Sequence, residues 1–201
     1  MDEDMMETEL CRLAAKWKTD KVPSICHGYT PYYHELFKGR DIRKMLEIGI
    51  GFPETMCPTV GTGYKTGASL FMWEEYFPGA EIYALDIRPD LLVNEGRIKS
   101  FLCDQGNESS LREAAEKLGD GFDLIIDDGS HFPEHQVLSA VTLIPLILNP
   151  GGLYIIEDVW APEQVVPHLP YKHEITDFNP EKFISDRLIT IKGEENCPLR
   201  S

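Results

Sequence analysis

The sequence is poor in positive charge: 19 lysines and arginines stand against 34 acidic residues, giving a net charge of −15. A chain so charged repels phosphate backbones and anionic lipid surfaces, so neither a nucleic acid nor a membrane is expected as a partner. Arg40, Arg43 and Lys44 come nearest to a basic patch, and three scattered cations beside a strand read as a solvated flank. Long apolar runs are also missing, since none approaches the ~18 residues of a membrane span. The opening MDEDMMETEL is acidic where a targeting peptide would be basic. Five cysteines, Cys11, Cys26, Cys57, Cys103 and Cys197, form no CxxC pair and keep no regular spacing. That pattern argues against a zinc module or a disulfide framework and fits a reduced, cytoplasmic setting. There is no internal repeat and no low-complexity tract.

What is present is an ordinary globular composition, 42% hydrophobic and 26% charged, over 201 residues. That length suffices for one domain to bury a core without disulfides. RKMLEIG (43–49) reads as a buried strand ending in glycine, and GASLFMWEEYF, with Leu70, Trp73 and Phe77 at helical spacing, as the next helix. Between them GFPETMCPTVGTGYKT, rich in Gly, Pro and Thr, reads as a long loop. The alternation continues with EIYALD and RIKSFLCD as strands, SSLREAAEKL as a helix, and FDLIIDD as a strand. PEHQVLSAVTLIPLI follows as a helix, with Pro133 suited to its first turn. NPGG reads as a turn, GGLYIIEDV as a strand, PEQVVPHL as a short helix, and HEITDF and RLITIK as closing strands. Strands that are apolar on both faces and alternate with helices predict a doubly wound, Rossmann-like α/β fold. The expected sheet has seven mostly parallel strands, the last antiparallel, with helices on both faces. Residues 1–41, carrying the aromatic HGYTPYY, are expected to form a helical cap, and residues 42–201 the core.

In such sheets ligands bind beyond the carboxyl ends of the strands, near the reversal of strand order. The ends here carry Glu47 and Gly49, Asp86, Asp104, the pair Asp127 and Asp128, and the pair Glu157 and Asp158. A row of carboxylates around one crevice repels itself unless a cation lies there, as a positively charged ligand or a metal ion. S-adenosylmethionine (SAM) is such a ligand, with a sulfonium, an ammonium and a ribose diol. A dinucleotide is the opposite case, because its pyrophosphate seeks a tight GxGxxG turn. Here Gly49-Ile50-Gly51 is followed by Phe52-Pro53-Glu54, so the third glycine is missing. Gly49 and Gly51 make the turn whatever the ligand, and Asp86 can accept both hydroxyls of a ribose.

The pentapeptide DDGSH (127–131) is more informative. One reading is a solvated turn with Ser130 capping the following helix. The other joins Asp128 to Glu157 and Asp158 as a hard, oxygen-rich site for Mg²⁺, Mn²⁺ or Ca²⁺. His131 then stands beside it as a base for a substrate hydroxyl, which attacks the sulfonium methyl. Tyr29, Tyr32 and Tyr33 would help to keep the pocket dry, or serve simply as core filler.

LEIGIG, GASLFMWEEYFPGAEIYALDI, DQGNESSL, IIDDGSHFPEHQ and PGGLYIIEDV together resemble the class I SAM-dependent methyltransferases. Within that class they most resemble the metal-dependent O-methyltransferases of macrolide and other natural-product sugars, with their cephalosporin hydroxylase-like relatives. TDK (19–21) and HGYTPYY (27–33) resemble that group's cap. The resemblance implies that Glu47 and Gly49 line the methionine end of SAM, with Gly51, Ser69 and Tyr29 near the cofactor. It implies Asp86 at the ribose, Asp104 and Gln105 at the adenine and Asp127 beside them. It implies Asp128, Glu157 and Asp158 as Mg²⁺ ligands and His131 as catalytic base. The implied acceptor is a hydroxyl of a small polar molecule such as a sugar or glycosylated natural product, and the chain is compatible with a homo-oligomer. The stretch from Phe52 to Thr66 is longer and richer in Pro and Thr than that group leads one to expect. Two alternatives remain: a non-catalytic SAM-binding module, and an NAD-dependent oxidoreductase.

Overall fold

The computed structural model describes residues 8–179 and 186–194. Cys197 and most of the acidic amino terminus lie outside the described residues. Seven strands form one sheet: β1 (Lys44–Ile48), β2 (Glu81–Asp86), β3 (Ile98–Leu102), β4 (Phe122–Asp127), β5 (Leu148–Ile156), β6 (His173–Asp177) and β7 (Arg187–Lys192). Their order is β3-β2-β1-β4-β5-β7-β6. The first five pair in parallel, while β7 runs antiparallel to both β5 and β6. The expected sheet is therefore present, and strand order reverses between β1 and β4.

Side chains alternate across a strand with period two, and here both faces are covered. Met45, Ile82, Ala84, Leu124, Ile126 and Ile155 point to one face, where α1 (Glu9–Trp17), α2 (Tyr29–Phe37) and α4 (Ala68–Tyr76) lie. Leu46, Ile48, Leu85, Ile125, Tyr154 and Ile156 point to the other, under α5 (Glu108–Leu118) and α6 (Pro133–Ile147). A short α7 (Pro162–Val165) follows β5. Residues Ala68 to Trp73 of α4 are buried without a break, as expected of a helix packed all round. Thr8 caps α1 by accepting from the Cys11 N–H, and Asn107 caps α5 by accepting from that of Ser110.

Three local expectations are corrected. The long stretch after β1 is not all loop, because Pro53–Val60 forms an eight-residue helix, α3. Proline is tolerated at the first helical position, and Gly61 ends the helix at φ +81°. NPGG is not a turn before β5 but part of it, with a register shift opposite Phe122 and Leu124 absorbing the irregularity. Ser130 does not cap α6: that position is Phe132, with no side-chain cap, and Pro133 opens the helix.

Candidate active site

The reversal of strand order leaves a crevice above the carboxyl ends of β1 and β4, and a cavity of about 770 Å³ opens there. The loops after β1, β2, β3, β4 and β5 all contribute to its wall, and α3 adds Thr55 and Met56. Gly49 has φ +96°, and a Cβ there would stand 2.2 Å from the Asp128 carbonyl oxygen. Only glycine lets the β1 and β4 loops touch so closely.

Asp86 lines the cavity and is held by two backbone donors, Ile50 N–H to Oδ2 and Arg88 N–H to Oδ1, each at 2.8 Å. Each oxygen keeps a lone pair for a further donor. Gly51, Ser69, Asp104 and Gln105 also line the wall. The Gln105 amide is largely engaged within the protein: Nε2 donates to Asp127 Oδ1 at 2.7 Å and Oε1 accepts from Ser130 N–H at 2.9 Å. It clamps the β3 loop to the β4 loop.

Alternation sorts the adjacent acids. Asp127 continues the face of Ile125, where Tyr154 Oη donates to its Oδ2 at 3.1 Å. It is buried, it is not among the cavity-lining residues, and burial raises its pKa to about 7. The expectation of Asp127 at the nucleoside is corrected on this ground: it braces Gln105 from behind. Glu47 follows Met45 to the opposite face, where it accepts from Ser69 Oγ at 2.8 Å beneath the cavity wall. Burial lifts its pKa to about 7, against the pull of Lys21. Tyr29 is also behind the wall, fully buried, donating to Asp158 Oδ1 at 2.6 Å. It reaches the cavity through Asp158 and not directly.

Asp128, His131 and Asp158 converge on the cavity, with one ligand atom from each within 4.8 Å of the others. His131 Nε2 lies 4.0 Å from Asp128 Oδ1 and 3.8 Å from Asp158 Oδ2. Both His131 (φ +58°) and Asp158 (φ +52°) adopt the left-handed conformation. Strain of this kind persists where the surrounding structure over-determines it, and it gathers at functional sites. Two half-buried carboxylates are chemically suitable oxygen donors for a hard divalent ion, and the half-buried imidazole beside them is free to act as a base.

Glu157 stands apart from that group of three. It is buried, its Oε1 accepts from Tyr33 Oη at 2.7 Å, and its Oε2 accepts from Lys21 Nζ at 2.5 Å. The same ammonium donates to Asp128 Oδ2 at 2.5 Å and lies 3.6 Å from Glu47 Oε1. The idea that only a ligand or metal could relieve these acids is thereby corrected: Lys21, itself buried, supplies a resident cation. Burial alone would lower its pKa, but Asp128, Glu157 and Glu47 outweigh burial and hold it well above the usual lysine value. Asp128 is held below the ordinary carboxylate range, because Lys21 and His131 outweigh its burial. Glu157, the more deeply enclosed partner of the pair, is pushed up by its burial.

A second histidine was missed in the sequence. His27, buried on the cavity wall, lies with Nδ1 3.3 Å from Asp186 Oδ1 and Nε2 3.7 Å from Asp158 Oδ1, and stacks on Tyr29. Burial works against its charge, but Asp186 and Asp158 prevail and raise its pKa. Its place in HGYTPYY, beside a glycine and an aromatic run, was the available signal.

Comparison with known proteins identifies the family. The chain is 39% identical over 161 residues to mycinamicin VI 2''-O-methyltransferase of Micromonospora griseorubida, covering 76% of this chain and 36% of that protein. It is 38% identical over 160 residues to demethylmacrocin O-methyltransferase of Streptomyces fradiae, covering 76% and 37%. The chain belongs to the class I SAM-dependent methyltransferases. It spans little more than a third of the length of these curated relatives. The solved structure of the MycE methyltransferase with Mg, SAH and mycinamycin VI superposes with a TM-score of 0.63 at 34% identity, over 77% of this chain and 38% of that one. A crystal form of MycE with Mg and SAH gives a TM-score of 0.70 at 26% identity, over 94% of this chain and 55% of that one. No family model matches the sequence. Among the described residues no helix is long and apolar enough to cross a membrane.

Proposed function

We propose that this chain is the catalytic region of a SAM-dependent, metal-dependent O-methyltransferase acting on a hydroxyl of a sugar or glycosylated natural product. The convergence of Asp128, His131 and Asp158 on a cavity at the strand-order reversal carries this reading. When bound, SAM supplies the sulfonium methyl and a hard divalent ion supplies a Lewis-acidic contact to the acceptor hydroxyl.

The chain's own residues divide the remaining work. Asp86, oriented by the Ile50 and Arg88 amides, accepts from the ribose diol, and Gly49 and Gly51 let the backbone approach the nucleoside. Glu47 acts from beneath through Ser69 and Lys21, and Asp104 lies on the wall of the adenine end. Asp128 and Asp158 would hold the ion, with Glu157 beside them on the far side of Lys21. His131 would take the hydroxyl proton from an acceptor held at Asp128 and Asp158, the two carboxylates that its Nε2 faces at 4.0 and 3.8 Å. Deprotonated at His131, the acceptor oxygen would be an anion facing the cationic methyl donor, and transfer of the methyl would cancel the two charges. A water-poor cavity favours such a step, because water stabilises the separated charges more than the transition state.

The test is methyl transfer from labelled SAM, with Mg²⁺, to a panel of glycosylated polyketides. Label should enter one sugar hydroxyl, and His131→Ala should abolish transfer while S-adenosylhomocysteine still binds. Transfer that persists in His131→Ala would remove His131 as base, and absence of nucleoside binding would remove the whole reading.

A further inference from the structure

The ammonium of Lys21 occupies ground that a divalent ion also needs. It lies 2.5 Å from Asp128 Oδ2 and 2.5 Å from Glu157 Oε2, and it belongs to the cavity wall. Asp128 presents its other oxygen toward His131 and so stays in the converging group, whereas Glu157 has Lys21 on one oxygen and Tyr33 on the other. An ion arriving at Asp128 meets an ammonium on the same carboxylate, and two cations at such range repel each other.

A buried ammonium cannot simply give up its partners, since an unpaired charge in the interior is costly. Here a further acceptor is within reach. Glu47 Oε1 is buried and has no hydrogen-bond partner, and it lies 3.6 Å from Lys21 Nζ, just beyond bonding distance. The Trp73 indole N–H lies close enough to favour the Glu47 carboxylate but makes no hydrogen bond with it. Glu47 thus keeps one oxygen unused, on the side of a lysine whose four-carbon stem can re-aim its head.

We propose that Lys21 is a displaceable counter-cation: it bridges Asp128 and Glu157 until a divalent ion binds, then turns to Glu47 and leaves both carboxylates to the ion. This rests on the metal-dependent reading above. It gives Glu157 two successive partners, and it explains why a buried lysine and an unused Glu47 oxygen stand together between Asp128 and Glu157. No covalent step is involved; one cation exchanges places with another.

Mn²⁺ titration of the whole chain without nucleoside, followed by electron paramagnetic resonance, tests the exchange in native protein, Lys21→Met and Glu47→Gln. With its competitor gone, Lys21→Met should bind Mn²⁺ at least about tenfold more tightly than native. It should also melt lower without metal and gain more from Mn²⁺. Glu47→Gln, which takes away the charge that receives Lys21, should bind Mn²⁺ several-fold more weakly. Unchanged or weaker binding in Lys21→Met would make Lys21 a permanent strut and overturn the proposal. Should Lys21→Met not fold, Glu47→Gln decides alone, and unchanged affinity there refutes the exchange. If native protein binds no Mn²⁺, the metal-dependent reading itself falls; binding that is lost in Asp158→Asn yet indifferent to Lys21→Met removes the exchange only.

Discussion

The Trp160 indole N–H donates to the carbonyl oxygen of His131 at 2.8 Å, tying the loop after β5 to the loop after β4. His131 is one of the two residues in the converging group held at positive φ. The bond therefore fixes a strained backbone at the residue we read as base. Trp160→Phe keeps an aromatic ring but loses the donor, so His131 becomes free to relax. Turnover should fall about tenfold while nucleoside affinity stays within about twofold, an effect of the size of one hydrogen bond. A kcat/KM profile beside a calorimetric titration with S-adenosylhomocysteine separates the two.

Gly49→Ala should be far more damaging. Its Cβ would meet the Asp128 carbonyl oxygen at 2.2 Å on a backbone already at φ +96°. The β1 and β4 loops must part, which displaces Asp128. A loss of at least about 2 kcal/mol in denaturant unfolding is expected, together with loss of Mn²⁺ binding.

Tyr33→Phe tests the support of Glu157. The hydroxyl donates to Glu157 Oε1 at 2.7 Å in a fully buried setting. Its removal leaves a buried acceptor without that donor, costing about 1–3 kcal/mol of stability by thermal or urea unfolding.

Stability of the ligand-free protein should fall as pH rises from 5 to 8. Burial lifts Asp127 to about 7, above its unfolded value, so the folded state holds the extra proton. The contribution is full below the unfolded pKa and is lost as pH rises through about 7. Asp127→Asn, which can still pair with Gln105 and Tyr154, should flatten that slope by an amount on the order of a few kcal/mol. Urea midpoints across the pH range give the comparison.

The sheet was legible because its strands are apolar on both faces and end in turn residues, a pattern that few other arrangements accommodate. Helix α3 was not, because Pro58 lies inside it and none of its residues is buried, so no periodic apolar stripe marks it. The acids were found as a group but not sorted. Counting in twos from Met45, Ile125 and Ile155 would have sent Asp127 to the far face and Glu47, Asp128 and Glu157 to the near one. Lys21 was beyond such counting: nothing local in TDKVP places an ammonium against residues more than a hundred positions away. Its role arises only from the packing of the amino-terminal segment over the strand ends.

The most direct measurement is anomalous diffraction from crystals grown with Mn²⁺ and S-adenosylhomocysteine. The manganese peak should fall among Asp128, Asp158 and Glu157, beside His131, with the ribose on Asp86 in the same cavity. A metal bound elsewhere, or a nucleoside outside that cavity, would contradict the assignment of this crevice as the methyl-transfer centre.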